Sequence, residues 1–153
     1  MTTTVLIPVL GSLLSIALLY AAIDDWRRRI IENWLNLGIV LAAPLWWWAN
    51  EWMLWPDIAL QVGIALAAFA VFVFFFAIGA MGGGDVKLIA ALGLWFPLNL
   101  FVEVLTIMAV LGGLLTLVML ARHRITKAEG PIEVPYGIAI ALAAIWVLLR
   151  TIF

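Results

Sequence analysis

The sequence predicts an all-α, polytopic membrane protein of about six transmembrane helices with a short fourth helix, and three observations carry that expectation. Of the 153 residues, 67% are hydrophobic and 11% charged, and the mean hydropathy is +1.22, values that exclude a water-soluble globule. The apolar residues fall into runs of roughly twenty, the length that a hydrocarbon slab of about 30 Å asks of a helix. The few Lys and Arg residues cluster between runs, where the positive-inside rule can use them. Six runs leave no length for a soluble domain, so residues 1–153 form one membrane-embedded domain. Cys is absent and His123 is the one histidine, which removes disulfides, thiolate nucleophiles and Cys- or His-based metal sites. No metal, cofactor or nucleic acid is expected; the lipid bilayer is the first partner.

The elements follow in order. Met1 to Thr4 has no positive charge and Val5 to Ile23 is long enough to span, so this run reads as a first helix and not as a cleavable signal. It ends in Asp24-Asp25-Trp26-Arg27-Arg28-Arg29, whose three arginines assign that end to the cytoplasm and the N-terminus to the outside. A second span begins at Asn33 or Asn36 and runs to about Trp48. Trp46, Trp47, Trp48, Trp52 and Trp55 then form an aromatic belt around a loop without Lys or Arg. Ile58 to Ile78 is the third span, with Gln61 its one strongly polar side chain and Asp57 its expected N-cap. Val86 to Phe96 gives only about 16 Å of helix before Pro97 and Asn99, and Leu100 to Ala121 follows as a full span. The last span is Tyr136 to Leu149, after a loop from His123 to Pro135 that contains Gly130-Pro131. If the short fourth piece crosses separately, seven of the eight Lys and Arg residues lie at cytoplasmic ends, Arg150 being the exception. Both termini are then outside. Gly112-Gly113 and the alanines from Ala139 to Ala144 suit close helix packing in lipid.

One polar stretch interrupts this pattern, Met81-Gly82-Gly83-Gly84-Asp85-Val86-Lys87. A carboxylate at the edge of hydrocarbon is a functional candidate by default. The topology puts Asp25 and Asp85 at the same depth on the cytoplasmic side. Two such carboxylates in proximity share one proton, so one can act as general base on a water and the other as general acid toward a carbonyl. Gly82, Gly83 and Gly84 would give an extended substrate backbone clearance beside Asp85. Plainer readings stand beside these: Asp85 as a helix N-cap, Asp24 and Glu103 as interfacial charges, Arg27 to Arg29 as topology anchors, His123 as a solvated loop residue, and the tryptophans as interface anchors.

Gly82 to Gly93, GGGDVKLIAALG, resembles the GxGD signature of intramembrane aspartyl proteases in the version carried by type IV prepilin peptidases. Asp25 to Asn33, DWRRRIIEN, has the spacing of that family's first aspartate to an Asn or Asp, and Val134-Pro135-Tyr136-Gly137-Ile138-Ala139 resembles its Pro-Tyr-Gly start to the final helix. Glu32 stands where the family usually has proline. The resemblance implies Asp25 and Asp85 as the catalytic pair in a short, peptidase-only form of the Flp/Tad pilus type, with archaeal preflagellin peptidases as neighbours. It implies a pilin-like precursor as substrate, cut after Gly between a basic leader and an apolar helix at the inner membrane's cytoplasmic face, and a link to the pilus assembly machinery. Lys87 and Asn33 are auxiliary candidates, Lys87 steadying a carboxylate or pairing with an acidic residue of the mature substrate. Two other classes compete: a proton- or ion-coupled transporter using Asp25, Asp85 and Glu103, and an inactive assembly protein that binds pilin without cutting it.

Overall fold

The computed structural model describes residues 2–126 and 134–152. Six α-helices follow in chain order: α1 Thr2–Arg28, α2 Asn33–Ala49, α3 Ala59–Ala77, α4 Gly83–Leu92, α5 Leu98–Thr126 and α6 Tyr136–Ile152. The stretches Val5–Arg28, Leu54–Ala77 and Leu98–Thr126 are long and apolar enough to cross a membrane. Helices α2 and α6 have 17 residues each, about 25 Å. Helix α4 is the shortest, with 10 residues and about 15 Å. Leu66, Phe74, Leu117 and Trp146 are each more than 60% exposed, an apolar exterior that only lipid can cover. The protein is a polytopic helical bundle with a short, separate fourth helix.

Contacts at the helix ends fix the directions. Gly11 near the start of α1 packs on Ile152 at the end of α6, while Asp25 near the end of α1 bonds to Gly137 at the start of α6. Helices α5 and α6 are likewise antiparallel, with Thr116 beside Tyr136 and Glu103 beside Arg150. Asn36 meets Gly84 and Trp46 meets Trp95, so α2 and α4 run in parallel. Odd-numbered helices thus run one way and even-numbered helices the other. One end of the bundle gathers Arg27, Arg28, Arg29, Lys87, Arg122 and Arg124; Arg150 sits at the opposite end. There its guanidinium donates to Glu103 Oε2 at 2.6 Å, which gives both of these charges a partner across α5 and α6. Lys127 and Gly130-Pro131 lie outside the described residues.

The core is built from small residues on α6, Ala139, Ala141, Ala143 and Ala144, packed with Leu18 of α1 and Leu88 and Leu92 of α4. Close approach through small side chains replaces the hydrophobic drive that lipid removes. Of the expected packing glycines, Gly112 faces the Tyr136 ring and Gly113 faces open space.

Three expectations change. Asp57 does not cap α3; its Oδ2 accepts the Met53 N–H at 3.0 Å across the π-type turn Leu54–Ile58 that leads into the helix. His123 belongs to the last turns of α5 and is half-buried, because the helix continues through Thr126. The tryptophans are not all interface anchors. Helix α4 ends inside the bundle: amides of Gly93 to Phe96 bond the carbonyls of Ile89, Ala91 and Leu92, and the carbonyls of the turn that follows, away from water, take donors from side chains of neighbouring helices. Trp46 Nε1 donates to Trp95 O at 2.9 Å and Trp47 Nε1 to Leu94 O at 2.7 Å. Gln61 Nε2 donates to Phe96 O at 2.8 Å and to Gly93 O at 3.3 Å, which explains the one polar side chain in α3.

Gln61→Leu leaves these carbonyls buried without that donor. A loss of about 1–3 kcal/mol follows, read as a lower midpoint of thermal unfolding in detergent. An unchanged midpoint would show that Gln61 is dispensable for holding the end of α4.

Candidate active site

Asp25 lies in the last turn of α1 and is 5% exposed. Its Oδ2 accepts the Gly137 N–H at 2.8 Å. That amide belongs to the first turn of α6, where backbone donors have no partner within their own helix, so a side chain of α1 caps α6. The approach requires glycine: a Cβ on Gly137 would come 2.8 Å from Asp25 Oδ2 and 3.0 Å from Asp25 Cβ. The Pro-Tyr-Gly stretch therefore serves to seat Asp25.

Asp85 is the third residue of α4, whose N-cap is Gly82, so it sits within the first turn and is not itself the cap. It is 7% exposed, and its Oδ1 is buried with no hydrogen-bond partner among the described residues. The chain reaches this point through a tight stop to α3. Gly79 adopts φ 74°, and the amides of Gly79 and Ala80 turn back to the carbonyls of Phe76 and Phe75, the pattern that closes a helix on a left-handed residue. The three glycines before Asp85 have different neighbours. A Cβ on Gly84 would meet the Ile31 backbone at 3.2 Å, one on Gly83 the Phe76 ring at 3.3 Å, and one on Gly82 Asp85 Oδ2 at 3.0 Å. Gly84 thus lets the protein's own chain approach α4, and Gly82 is the one that leaves room beside the carboxylate.

Asp25 and Asp85 share the wall of a cavity of about 540 Å³, together with Arg29, Met81, Thr116 and Tyr136. A smaller cavity of about 180 Å³ is lined by the same two aspartates, Arg29 and Gly82 to Gly84. The two carboxylates that the sequence pairs are thus brought together, at the basic end of the bundle. Arg29, Thr116, Tyr136 and Gly137 are site residues that the sequence reading did not assign. The Pro-Tyr-Gly stretch was the signal for Tyr136 and Gly137, whereas nothing in the sequence marks Thr116. Among the described residues, no three His, Asp or Glu side chains gather at metal-ligand spacing.

Other candidates sit elsewhere. Asp24 is not an exposed charge: it is 6% exposed, with Oδ1 3.3 Å from Arg28 Nε, and it lines neither aspartate cavity. Lys87 Nζ donates to Asn33 Oδ1 at 2.7 Å, tying the starts of α2 and α4 together. Both residues border an apolar groove with Leu37, Val62 and Ala90, on the face of α4 turned away from Asp85. Glu103 is at the opposite end of the bundle, paired with Arg150, and does not extend the aspartate pair into a path.

Neither the curated proteins nor the solved structures give a match to this chain. A family model described as the type IV leader peptidase family matches residues 12–117, well over half of the 153. The match includes both aspartates and the glycine stretch between α3 and α4. By that match the chain belongs to the type IV leader peptidase family and is an aspartic endopeptidase by class.

Proposed function

We propose that this protein removes the short basic leader of a pilin-like precursor, cutting after Gly at the cytoplasmic face of the inner membrane, with Asp25 and Asp85 activating water. The observation that carries this is the shared cavity: two buried carboxyl groups from distant parts of the chain meet on one wall at the basic end of the bundle. The ionised carboxylate takes a proton from water as its oxygen bonds to the scissile carbonyl carbon, and the protonated one gives its proton to the carbonyl oxygen. Collapse of the resulting diol breaks the C–N bond, and a proton passes to the leaving nitrogen. Asp25 is held by the Gly137 amide, which orients it; Asp85 Oδ1 is buried without a partner, which leaves its hydrogen-bonding capacity for the reactants. Gly82 supplies clearance for the extended peptide. The basic end of the bundle faces the cytoplasm, both termini lie outside, and a leader held at that face presents its junction at the depth of the cavity.

Membranes containing the protein, mixed with a precursor of Lys/Arg-rich leader, Gly and apolar helix, release the leader, and N-terminal sequencing finds the new terminus immediately after Gly. Sequencing that finds a different junction overturns this specificity. The rate also falls on both sides of an optimum pH. In acid both carboxyls are protonated and no base remains, and in alkali both are ionised and no acid remains. A flat profile would exclude the shared-proton mechanism.

A further inference from the structure

We infer that Arg29 is a third catalytic residue, its guanidinium donating a hydrogen bond to the carbonyl oxygen of the peptide being cut; this rests on the proteolytic reading above. Two observations meet at this residue. It follows the last residue of α1 with φ 57°, a left-handed stop of the kind that Glu51 also makes past α2 with φ 58°. Its side chain lines both cavities that hold Asp25 and Asp85. Its Nη1 is buried without a hydrogen-bond partner among the described residues, and it forms no ion pair with either aspartate.

The neighbouring arginines behave otherwise. Arg27 and Arg28 are exposed, and Arg28 pairs with Asp24 and Glu32. A topology anchor needs only to lie at the right end of the helix. Arg29 instead turns inward, with its backbone amide on Asp25 O at 3.0 Å and its guanidinium 5.9 Å from the Trp26 ring centre. A guanidinium is a pure donor that stays charged, so the ligand it fits is an oxygen bearing negative charge. Such an oxygen forms when water adds to the scissile carbon and the C=O electrons move outward. Arg29 neither gains nor loses a proton; its bond strengthens as the charge develops, and the protonated aspartate still delivers the proton that makes the diol.

The test separates chemistry from topology with Arg29→Gln, and with Arg29→Gln combined with Ile30→Arg, which returns the third positive charge at a position that is 59% exposed. The probe is the leader–Gly–apolar-helix precursor, assayed in membranes whose orientation is checked by protease protection. The expected result is a fall in kcat of roughly 100-fold or more with KM within about threefold, in both proteins. A wild-type kcat in Arg29→Gln, a loss restored by Ile30→Arg, or a change confined to KM would overturn the assignment. The wild-type protein, Asp25→Asn and Asp85→Asn run alongside: if the wild-type protein does not cut, the proteolytic reading fails; if either aspartate variant still cuts, the pair fails; and if both are inactive while Arg29→Gln is normal, the Arg29 inference alone fails.

Discussion

Asp25→Asn and Asp85→Asn should each lower cleavage of the precursor by about 10³-fold or more, with the protein still inserted and folded. Asparagine keeps the size of the side chain and can still accept the Gly137 amide at position 25, so the seat of the residue survives while its proton chemistry does not. The assay is the mobility shift of a co-expressed precursor, read alongside thermal unfolding of each variant. Retained cleavage in either variant would sink the pair, whatever the pH profile. A single dead variant would be consistent with a structural carboxylate; loss in both, with unfolding unchanged, requires the two groups to act together.

The second large effect lies at Gly137. A methyl group there has no space: it would stand 2.8 Å from Asp25 Oδ2 and 2.9 Å from Ile31 Cδ1. In Gly137→Ala the start of α6 must shift or the carboxylate must rotate away, and either breaks the hydrogen bond by which Gly137 orients Asp25. Overpacking of this kind costs about 1–3 kcal/mol of stability. The loss in rate should be far larger in proportion, about 100-fold, because a displaced carboxylate no longer meets its partner. Wild-type kcat in Gly137→Ala would mean that Asp25 finds its position without that amide.

These two sites also show what the sequence can and cannot disclose. The two aspartates were legible because charge is scarce in this chain and the arginines fix which helix ends lie together. The short α4 was legible from Pro97, which bars a continuous helix across it, although α4 ends earlier, at Leu92, and Asn99 lies inside α5. Gly137 was visible only as part of a motif, since the need for it arises from Asp25, 112 residues away. Asp24 and Asp25 are adjacent and chemically identical; which of them meets the cavity depends on how α1 is rotated against α6, and periodicity alone does not supply that. Arg29 read as one of three equivalent charges because its left-handed turn leaves no trace in composition. Trp46 and Trp47 read as a belt because indoles favour interfaces, and their real partners exist only because α4 ends beside them.

That ending has a mechanical consequence. Asp85 sits in the first turn of a rod of about 15 Å, and the turn just beyond its other tip is clamped by three side chains from α2 and α3. The depth of the carboxyl group along the bundle is therefore set from the opposite end of α4, as a plumb line is set from its point of suspension. In the proposed reaction the acid pair works at the basic end of the bundle, while the position of Asp85 along the bundle is referenced to the opposite end of α4.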